Sequence, residues 1–462
     1  KHAPAEKEKI QIPQMKILLV NPPIEDFYIT GIRRQPLGLL HIAASLRAAG
    51  YSPEILNCHT GKKHVLDMPV EFDYLRKYTD NSDPQLRFPI KNYTHYGMSW
   101  HEIETRIKRT PADIYFVSSL FTTYYQETEK IVSLIRKNSS DAVIAVGGYH
   151  PSLYPEYYIK KGVADYVIKG EGEAVAVRLV QVLERGGRPE DIPGIISGRS
   201  NAEEKKLMAA VPDVNELPFP LRELLMRRDF RAYRKIFISM ITSRGCPNRC
   251  EFCTGRTIWG NSYRSRSADS VIDEILHCIY NYGADIINFE DDNLFPAKKR
   301  AGELLTEIIK MKKNRKVNPE FTAMNGISLE NIDEEIIPLM KDAGFNELNI
   351  SLVTQSSEVQ RVNRRPFNSL KFRSIAERAN RAGLNVRGYF ILGMPGQDIK
   401  EIEDTISFMK SLSIQVFPSV FYNVFSQESE WKMQRSSAFF NETGDLTRED
   451  VIKFFNRCSR NN

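Results

Sequence analysis

The chain has little cysteine, no long apolar run and no strong net charge, and each absence excludes a class of protein. Six cysteines in 462 residues are few, and Cys58, Cys278 and Cys458 lie too far apart to suggest the disulfide framework of a secreted domain. No run of about eighteen apolar residues is present, which argues against a transmembrane helix. The net charge of +6 is mild, and no basic run is interleaved with aromatic residues, so nothing indicates nucleic-acid binding.

What the chain does contain is typical of a large globular protein. An apolar content of 42% with 10% aromatic residues is sufficient for sizeable cores, and the length predicts two or three domains. Residues 1–14 are charged and lack the apolar segment of a secretory signal, so they are predicted to be a disordered lead-in.

Half of the cysteines lie in one short loop, Arg-Gly-Cys-Pro-Asn-Arg-Cys-Glu-Phe-Cys, as Cys246, Cys250 and Cys253. Three thiolates from one loop suit a soft metal centre such as an iron–sulfur cluster. A structural zinc site is the alternative, but zinc takes four closed ligands, and no fourth Cys or His lies within about twenty residues. A cluster with three protein ligands leaves one iron open, which indicates chemistry rather than scaffolding.

The first half of the chain alternates short apolar runs with helical patterns. Such alternation predicts parallel βαβ units and a doubly wound sheet, whose ligands bind at the carboxyl ends of the strands. The interval from 60 to 100 is an insertion with weak periodicity. A polar, Pro-rich stretch that begins at residue 186 links the first half to a second alternating half. The expected divisions are 1–14, 15–185, 186–230 (a linker), 231–430 and 431–462 (a C-terminal extension).

The cysteine loop resembles the signature of the radical S-adenosylmethionine (SAM) superfamily, with Phe252 as its aromatic residue. The resemblance implies a [4Fe-4S] cluster on Cys246, Cys250 and Cys253, with SAM on the open iron. Reduction of the cluster then splits SAM into methionine and a 5′-deoxyadenosyl radical. The resemblance also implies an α/β fold in which a Rossmann-like sheet precedes a partial (β/α)6 barrel. The cysteines then follow the first barrel strand, where barrel enzymes keep catalytic groups.

The family pattern continues along the later barrel strands. Glu290 and Asp291 follow the second strand, where relatives bind the SAM amino group, but the expected glycines are missing and a solvated acidic loop is the alternative. Arg264 could equally be an ordinary surface charge instead of a SAM contact, and Gly393 could equally belong to a simple turn. The SAM-binding residues expected from the resemblance are Phe252, Arg264, Glu290, Asp291, Ser351, Ile391 and Gly393.

The N-terminal sheet resembles the cobalamin-binding domain of B12-dependent radical SAM enzymes. The loop after its first strand lacks the cobalt-ligating histidine of methionine-synthase-type domains, so cobalamin is expected to bind without a protein imidazole. One alternative is that His150 ligates the cobalt. Another is that the domain has kept its fold and lost its cofactor. The expected cobalamin-binding residues are Asn21, Pro22, Ser118, Ser119, Leu120, Gly147, Gly148, His150, Gly170, Glu171 and Gly172.

The resemblance implies an enzyme that methylates an unreactive carbon or a phosphinate phosphorus. A non-methylating rearrangement, cyclisation or coupling is one alternative, and an iron–sulfur electron-transfer module is another. We expect a small-molecule, natural-product or lipid substrate and a reductant such as flavodoxin or ferredoxin. An oxygen-sensitive cluster further implies the cytoplasm of an anaerobic or oxygen-protected cell. The insertion and the segment after Phe425 are the expected determinants of the substrate.

Overall fold

The computed structural model describes residues 14–27, 34–88, 92–201, 213–232, 234–260, 262–330, 332–365 and 368–459. The lead-in predicted for residues 1–14 therefore lies, except for its last residue, outside the described residues. In the described part of the chain, no helix combines the length and the apolar character needed to cross a membrane.

The first half forms the parallel sheet that its apolar runs predict. Within the described residues the strand order is β3-β1-β6-β7-β8-β9, and the pairs from β3 to β8 are parallel. The elements are β1 (Ile17–Asn21), β2 (Ile24–Asp26), α1 (Leu37–Ala48), β3 (Glu54–Asn57), β4 (Lys63–Leu66), α2 (Arg76–Thr79), β5 (Tyr93–Tyr96), α3 (Trp100–Arg109), β6 (Ile114–Ser118), α4 (Tyr125–Asn138), β7 (Val143–Gly147), α5 (Tyr149–Leu153), α6 (Pro155–Lys160), β8 (Tyr166–Ile168), α7 (Glu173–Glu184) and β9 (Ile195–Ile196).

Both faces of this sheet are buried, which explains why its strands are unbroken apolar runs. Along β1, Leu18 and Val20 pack into one core cluster, while Ile17 and Leu19 pack into another on the opposite face. The expected fold class, a doubly wound α/β sheet, is confirmed. The sheet also extends beyond residue 185, because β9 pairs antiparallel with β8 inside the expected linker.

The segment expected to be the linker packs against the second half. Arg222 is completely buried, and it donates to the backbone oxygen of Ser239 at 2.9 Å and to Glu274 at 2.6 Å. A buried guanidinium needs such a partner, so this segment is anchored to the second domain.

The second half repeats the strand–helix alternation. Within the described residues, β11, β14 and β15 form one parallel run and β16, β17 and β18 another, and isolated parallel bridges at Phe321–Phe345 and Ile327–Ile350 join the runs. The elements are β10 (Arg231–Ala232), β11 (Lys235–Met240), β12 (Ser243–Arg244), α8 (Gly255–Trp259), β13 (Arg264–Ser265), α9 (Ala268–Tyr282), β14 (Ile286–Phe289), α10 (Lys298–Arg315), β15 (Glu320–Thr322), α11 (Ile336–Ala343), β16 (Glu347–Val353), α12 (Ser357–Val362), α13 (Ser369–Arg381), β17 (Asn385–Leu392), α14 (Ile399–Lys410), β18 (Gln415–Val420), α15 (Glu428–Trp431) and α16 (Arg448–Ser459).

The insertion and the C-terminal extension lie together and connect the two halves. Strands β2, β5 and β4 form a small antiparallel sheet. Phe27 beside this sheet contacts Phe72 and Phe88 edge-to-face, and Phe88 in turn contacts Phe439 of the extension at 5.1 Å between ring centroids. Trp431 of the extension packs into the core of the N-terminal domain. The extension is therefore part of both domains' packing.

Candidate active site

The cysteine loop begins at the carboxyl end of β11, as the sequence predicts. Gly245 turns the chain into the loop with φ +81°, and a Cβ atom there would collide with the backbone oxygen of Ser262. Burial raises the pKa of the Cys246 and Cys250 thiols. Binding of a metal centre must therefore displace protons from these two thiols.

Donors surround the sulfur atoms. The Gly255 backbone N–H donates to Cys253 Sγ at 3.4 Å, and the Asn293 amide donates to Cys246 Sγ at 3.8 Å. The Arg365 guanidinium lies beside Cys250 and opposes the burial effect on its pKa. These groups favour negative charge on sulfur, as a thiolate ligand requires.

Glycine at position 255 keeps the space beside the sulfur open. A Cβ atom there would lie 3.6 Å from Cys253 Sγ and 3.6 Å from Asp292 Oδ2. Among the described residues, no three His, Cys, Asp or Glu side chains lie close enough together to hold a single metal ion.

The acids after β14 differ from the expectation. Asp291 is 2% exposed, and its carboxylate accepts from the Thr242 backbone N–H at 3.1 Å and from the hydroxyls of Thr242 and Ser243. In this conformation Asp291 therefore fixes the end of β11. Glu290 accepts from Ser239 Oγ at 3.1 Å. Asp292, which was not predicted, lies near Cys246 and Cys253, and its charge adds to the effect of burial in raising the pKa of both thiols.

The predicted apolar SAM contacts are brought together. Phe252 of the cysteine loop and Ile391 of β17 pack against the same small cluster, which contains Met394. Gly393 turns the chain with φ +81°. The buried Gln397 amide donates to the Ile391 backbone oxygen at 2.9 Å and accepts from the Met394 N–H at 2.9 Å, so the turn is rigidly held.

Ser351 lies near the carboxyl end of β16, where the pairing with β17 is irregular. The register shifts between Ser351 and Val353. Val353 has φ +70°, which is rare for a β-branched residue and costs about 1–3 kcal/mol. Such strain persists only where the surrounding structure enforces it, and it coincides here with the predicted SAM edge of the barrel.

Arg264 and Glu171, predicted to bind different cofactors, bind each other. The Arg264 guanidinium pairs with the Glu171 carboxylate, whose side chain is 2% exposed. Arg244 also donates to Glu171, at 2.7 Å, and to Glu173 at 2.5 Å. The loop after β8 is thereby fixed directly to the cysteine-loop region of the second domain.

The loops at the carboxyl edge of the N-terminal sheet are closely packed. Gly148 has φ +122°, and a Cβ atom there would lie 2.5 Å from the Ser119 backbone oxygen. Glycine is therefore required here for close contact between two loops. The Ser119 hydroxyl bonds the Tyr158 hydroxyl at 2.8 Å, whereas Leu120 is 39% exposed and presents an apolar surface.

The remaining predicted residues of this edge are mostly engaged in the fold. Asn21 donates to Asn57 at 2.8 Å, and the Gly170 N–H donates to the Ser152 hydroxyl at 3.0 Å. A Cβ atom at Gly172 would lie 2.7 Å from Ile42 Cδ1. Three further predicted positions complete the edge: Pro22, Ser118 and Gly147.

His150 does not face this edge as a cobalt ligand would. It is fully buried, and aromatic rings enclose it, with Trp431 at 4.4 Å and stacked Tyr125 at 5.9 Å between centroids. Neither ring nitrogen has a hydrogen-bond partner among the described residues. Burial lowers the pKa of His150 to about 3, so the ring is neutral at physiological pH.

Comparisons with known proteins match both halves. The model of the radical SAM superfamily matches residues 240–409, and that of the B12 binding domain matches residues 88–180. The chain is a cobalamin-binding radical SAM enzyme. Its cofactors are a [4Fe-4S] cluster, SAM and cobalamin.

Relatives and solved structures agree with this assignment. The radical SAM enzyme is 27% identical to cytidylyl-2-hydroxyethylphosphonate methyltransferase of Streptomyces wedmorensis, over 84% of this chain and 76% of that one. It is 28% identical to an uncharacterized methyltransferase of Pyrococcus horikoshii, over 87% and 79%. In fold it is similar to the methyltransferase TsrM of Kitasatospora setae (TM-score 0.65, 18% identity, 88% and 72% covered) and to OxsB (TM-score 0.65, 16% identity, 96% and 60% covered).

The residues of this radical SAM enzyme fit the cofactors. The sulfur-directed donors from Gly255 and Asn293, and the open space at Gly255, suit a cluster on the loop. The exposed Leu120 at the carboxyl edge suits a flat apolar group. Sequence reasoning missed Asp292, Asn293 and Arg365. The first two stand in the acidic segment already singled out, whereas nothing in the sequence connects Arg365 to the cysteines.

Proposed function

We propose that this enzyme transfers a methyl group from SAM to an unactivated carbon of a small molecule, such as a natural product or lipid. One observation carries the proposal. The carboxyl edge of the cobalamin-type sheet docks on the cysteine-loop region through Arg244, Glu171 and Glu173, so both cofactor edges adjoin one interface. Relatives whose names state a methyltransferase activity support the same reaction.

When bound, the cluster supplies the electron that splits SAM, and cobalamin supplies the methyl group. In the proposal, Cys246, Cys250 and Cys253 hold the cluster, while Phe252 and Ile391 pack the adenosine. The fixed turn at Gly393 keeps this apolar surface in place.

Polar and aromatic side chains form a layer in the first parts of β16, β17 and β18. Glu347 accepts from Asn349 at 2.9 Å and pairs with Arg387 at 2.8 Å. Tyr389 stacks on Phe417 at 5.5 Å between centroids. We infer that the substrate lies on the side of this layer nearer the carboxyl ends of the strands. The insertion and the C-terminal extension would then close that end of the barrel. A flavodoxin or ferredoxin in the cytoplasm of an oxygen-protected cell is the proposed reductant.

The second candidate is a radical reaction without methyl transfer. Relatives named anaerobic magnesium-protoporphyrin IX monomethyl ester cyclase favour it, at 24% and 25% identity over 67% and 60% of this chain.

Methyl tracing separates the two candidates. The enzyme is reconstituted anaerobically with both cofactors and incubated with trideuteromethyl-SAM and a small-molecule extract of its host. We expect a product in which one hydrogen is replaced by the trideuteromethyl group, absent with Cys250→Ala. An altered metabolite without the label indicates the non-methylating reaction.

A further inference from the structure

The arginine that immediately precedes the cysteine loop makes its main contacts in the other domain. Arg244 lies in β12, separated from Cys246 only by Gly245, and its side chain is 5% exposed. Its two terminal nitrogens donate to different carboxylates, Glu171 at 2.7 Å and Glu173 at 2.5 Å. A planar guanidinium shared between two acids has a fixed orientation, which a lysine could not reproduce.

The two acids belong to the edge that is predicted to support cobalamin. They flank Gly172, where the chain passes from β8 into α7, and their side chains are 2% and 6% exposed. Each acid contributes charge to a buried, water-poor contact, where ion pairs hold their geometry most firmly. Nearby Arg264 also pairs with Glu171, so this acid remains held if Arg244 is changed.

A second contact joins the same region to another loop of that edge. The Arg244 guanidinium lies over the indole ring of Trp259 in α8, with Arg244 Cζ 5.3 Å from the ring centroid. The indole N–H of Trp259 donates to the Tyr149 hydroxyl at 3.2 Å, and Tyr149 directly follows Gly148. The loop after β7 and the loop after β8 are therefore both connected to the residue next to Cys246.

We propose that Arg244 is a positioning residue that fixes the cysteine loop against the carboxyl edge of the N-terminal sheet and thereby couples SAM cleavage to methyl transfer. This inference rests on the proposed function. Two reacting centres held by different domains need a fixed separation, and a displacement of about 1 Å costs about a hundredfold in rate. Loss of Arg244 should leave each cofactor bound while the coupling between their reactions fails.

The experiment compares Arg244→Gln with wild type in the reconstituted holoenzyme. 5′-Deoxyadenosine reports SAM cleavage, and S-adenosylhomocysteine reports the use of SAM as a methyl donor. The host's small-molecule extract supplies the substrate. We expect SAM cleavage to persist, while the ratio of S-adenosylhomocysteine to 5′-deoxyadenosine falls at least about tenfold. Arg244→Lys should give an intermediate ratio. Arg373→Gln, which removes an exposed arginine of α13, is the matched control and should keep the wild-type ratio.

Hydrogen–deuterium exchange on the protein as purified gives a readout without catalysis. Peptides covering 170–173 and 244–253 should exchange faster in Arg244→Gln and unchanged in Arg373→Gln. If Arg244→Gln does not fold, Glu173→Gln replaces it in both measurements. A wild-type product ratio in the variant, or an equal loss of both products, overturns the proposal. Absence of S-adenosylhomocysteine from the wild type contradicts methyl transfer, whereas unchanged exchange in the variant contradicts the contact itself.

Discussion

Arg435 of the C-terminal extension and Glu127 of α4 form a buried ion pair at 2.7 Å, with side chains 1% and 3% exposed. The same guanidinium donates to the backbone oxygens of Thr123 and Glu25, both at 2.8 Å. The extension is thus anchored in the first domain at Arg435, before α16 packs against the second domain.

Replacing Arg435 by alanine should strongly destabilise the fold, because it leaves the Glu127 charge buried without a partner. We expect a loss of about 3–5 kcal/mol in the free energy of unfolding, measured by urea denaturation. Lys432→Ala, which breaks a partly exposed pair with Glu71, should cost less than about 1 kcal/mol. Equal effects of the two variants would show that Arg435 does not anchor the extension.

The enclosure of His150 predicts a pH dependence of stability. Burial holds the pKa of His150 at about 3 in the folded state, below the ordinary value of 6.5 in the unfolded chain. The unfolded chain therefore binds a proton that the folded chain does not, and stability is lost as pH falls below 6.5. His150→Phe should remove this loss, so its stability relative to wild type should rise by about 2 kcal/mol between pH 7 and pH 5.

The same variant tests the alternative role of His150. Because aromatic rings enclose the buried imidazole, the absorption spectrum of bound cobalamin should be the same in His150→Phe and in wild type. A changed spectrum would assign the histidine to cobalt after all.

Gly148 is required by its backbone and by its neighbour. Gly148→Ala should cost about 1–3 kcal/mol and weaken cobalamin retention, since its Cβ atom would press on the Ser119 carbonyl. Gly302→Ala is the matched control, because a Cβ atom at this helical glycine of α10 would meet nothing beyond its own helix within 4 Å, and it should stabilise by about 0.5–1 kcal/mol. Thermal unfolding of both variants measures the difference.

The cluster assignment predicts that Cys246→Ala, Cys250→Ala and Cys253→Ala each abolish the EPR signal of the reduced cluster and all SAM cleavage. Under this assignment each thiolate is a ligand, and the other cysteines lie elsewhere in the fold. Cys278→Ala, which changes a buried cysteine of α9, should keep both properties. Cleavage that survives in a loop variant would contradict the assignment.

The strands and the cysteine loop could be predicted from the sequence because each is recognised from a pattern of residues that are adjacent in the chain. Leu18, Leu19 and Val20 are apolar in succession since both faces of their strand are buried. That Asp292 lies beside the cysteines could not be predicted, because the adjacent acids Glu290, Asp291 and Asp292 differ only in the path of one loop. Contacts between residues far apart in the sequence could not be predicted either. Arg244 and Glu171, for example, lie 73 residues apart.

The balance of SAM-derived products tests methyl transfer most directly. Radical generation and renewal of the methyl donor each consume SAM, so 5′-deoxyadenosine and S-adenosylhomocysteine should rise in equal amounts with methylated product. The holoenzyme is followed by liquid chromatography with mass spectrometry under strictly anaerobic conditions. Formation of 5′-deoxyadenosine with altered substrate, and without S-adenosylhomocysteine while cobalamin is bound, would contradict methylation.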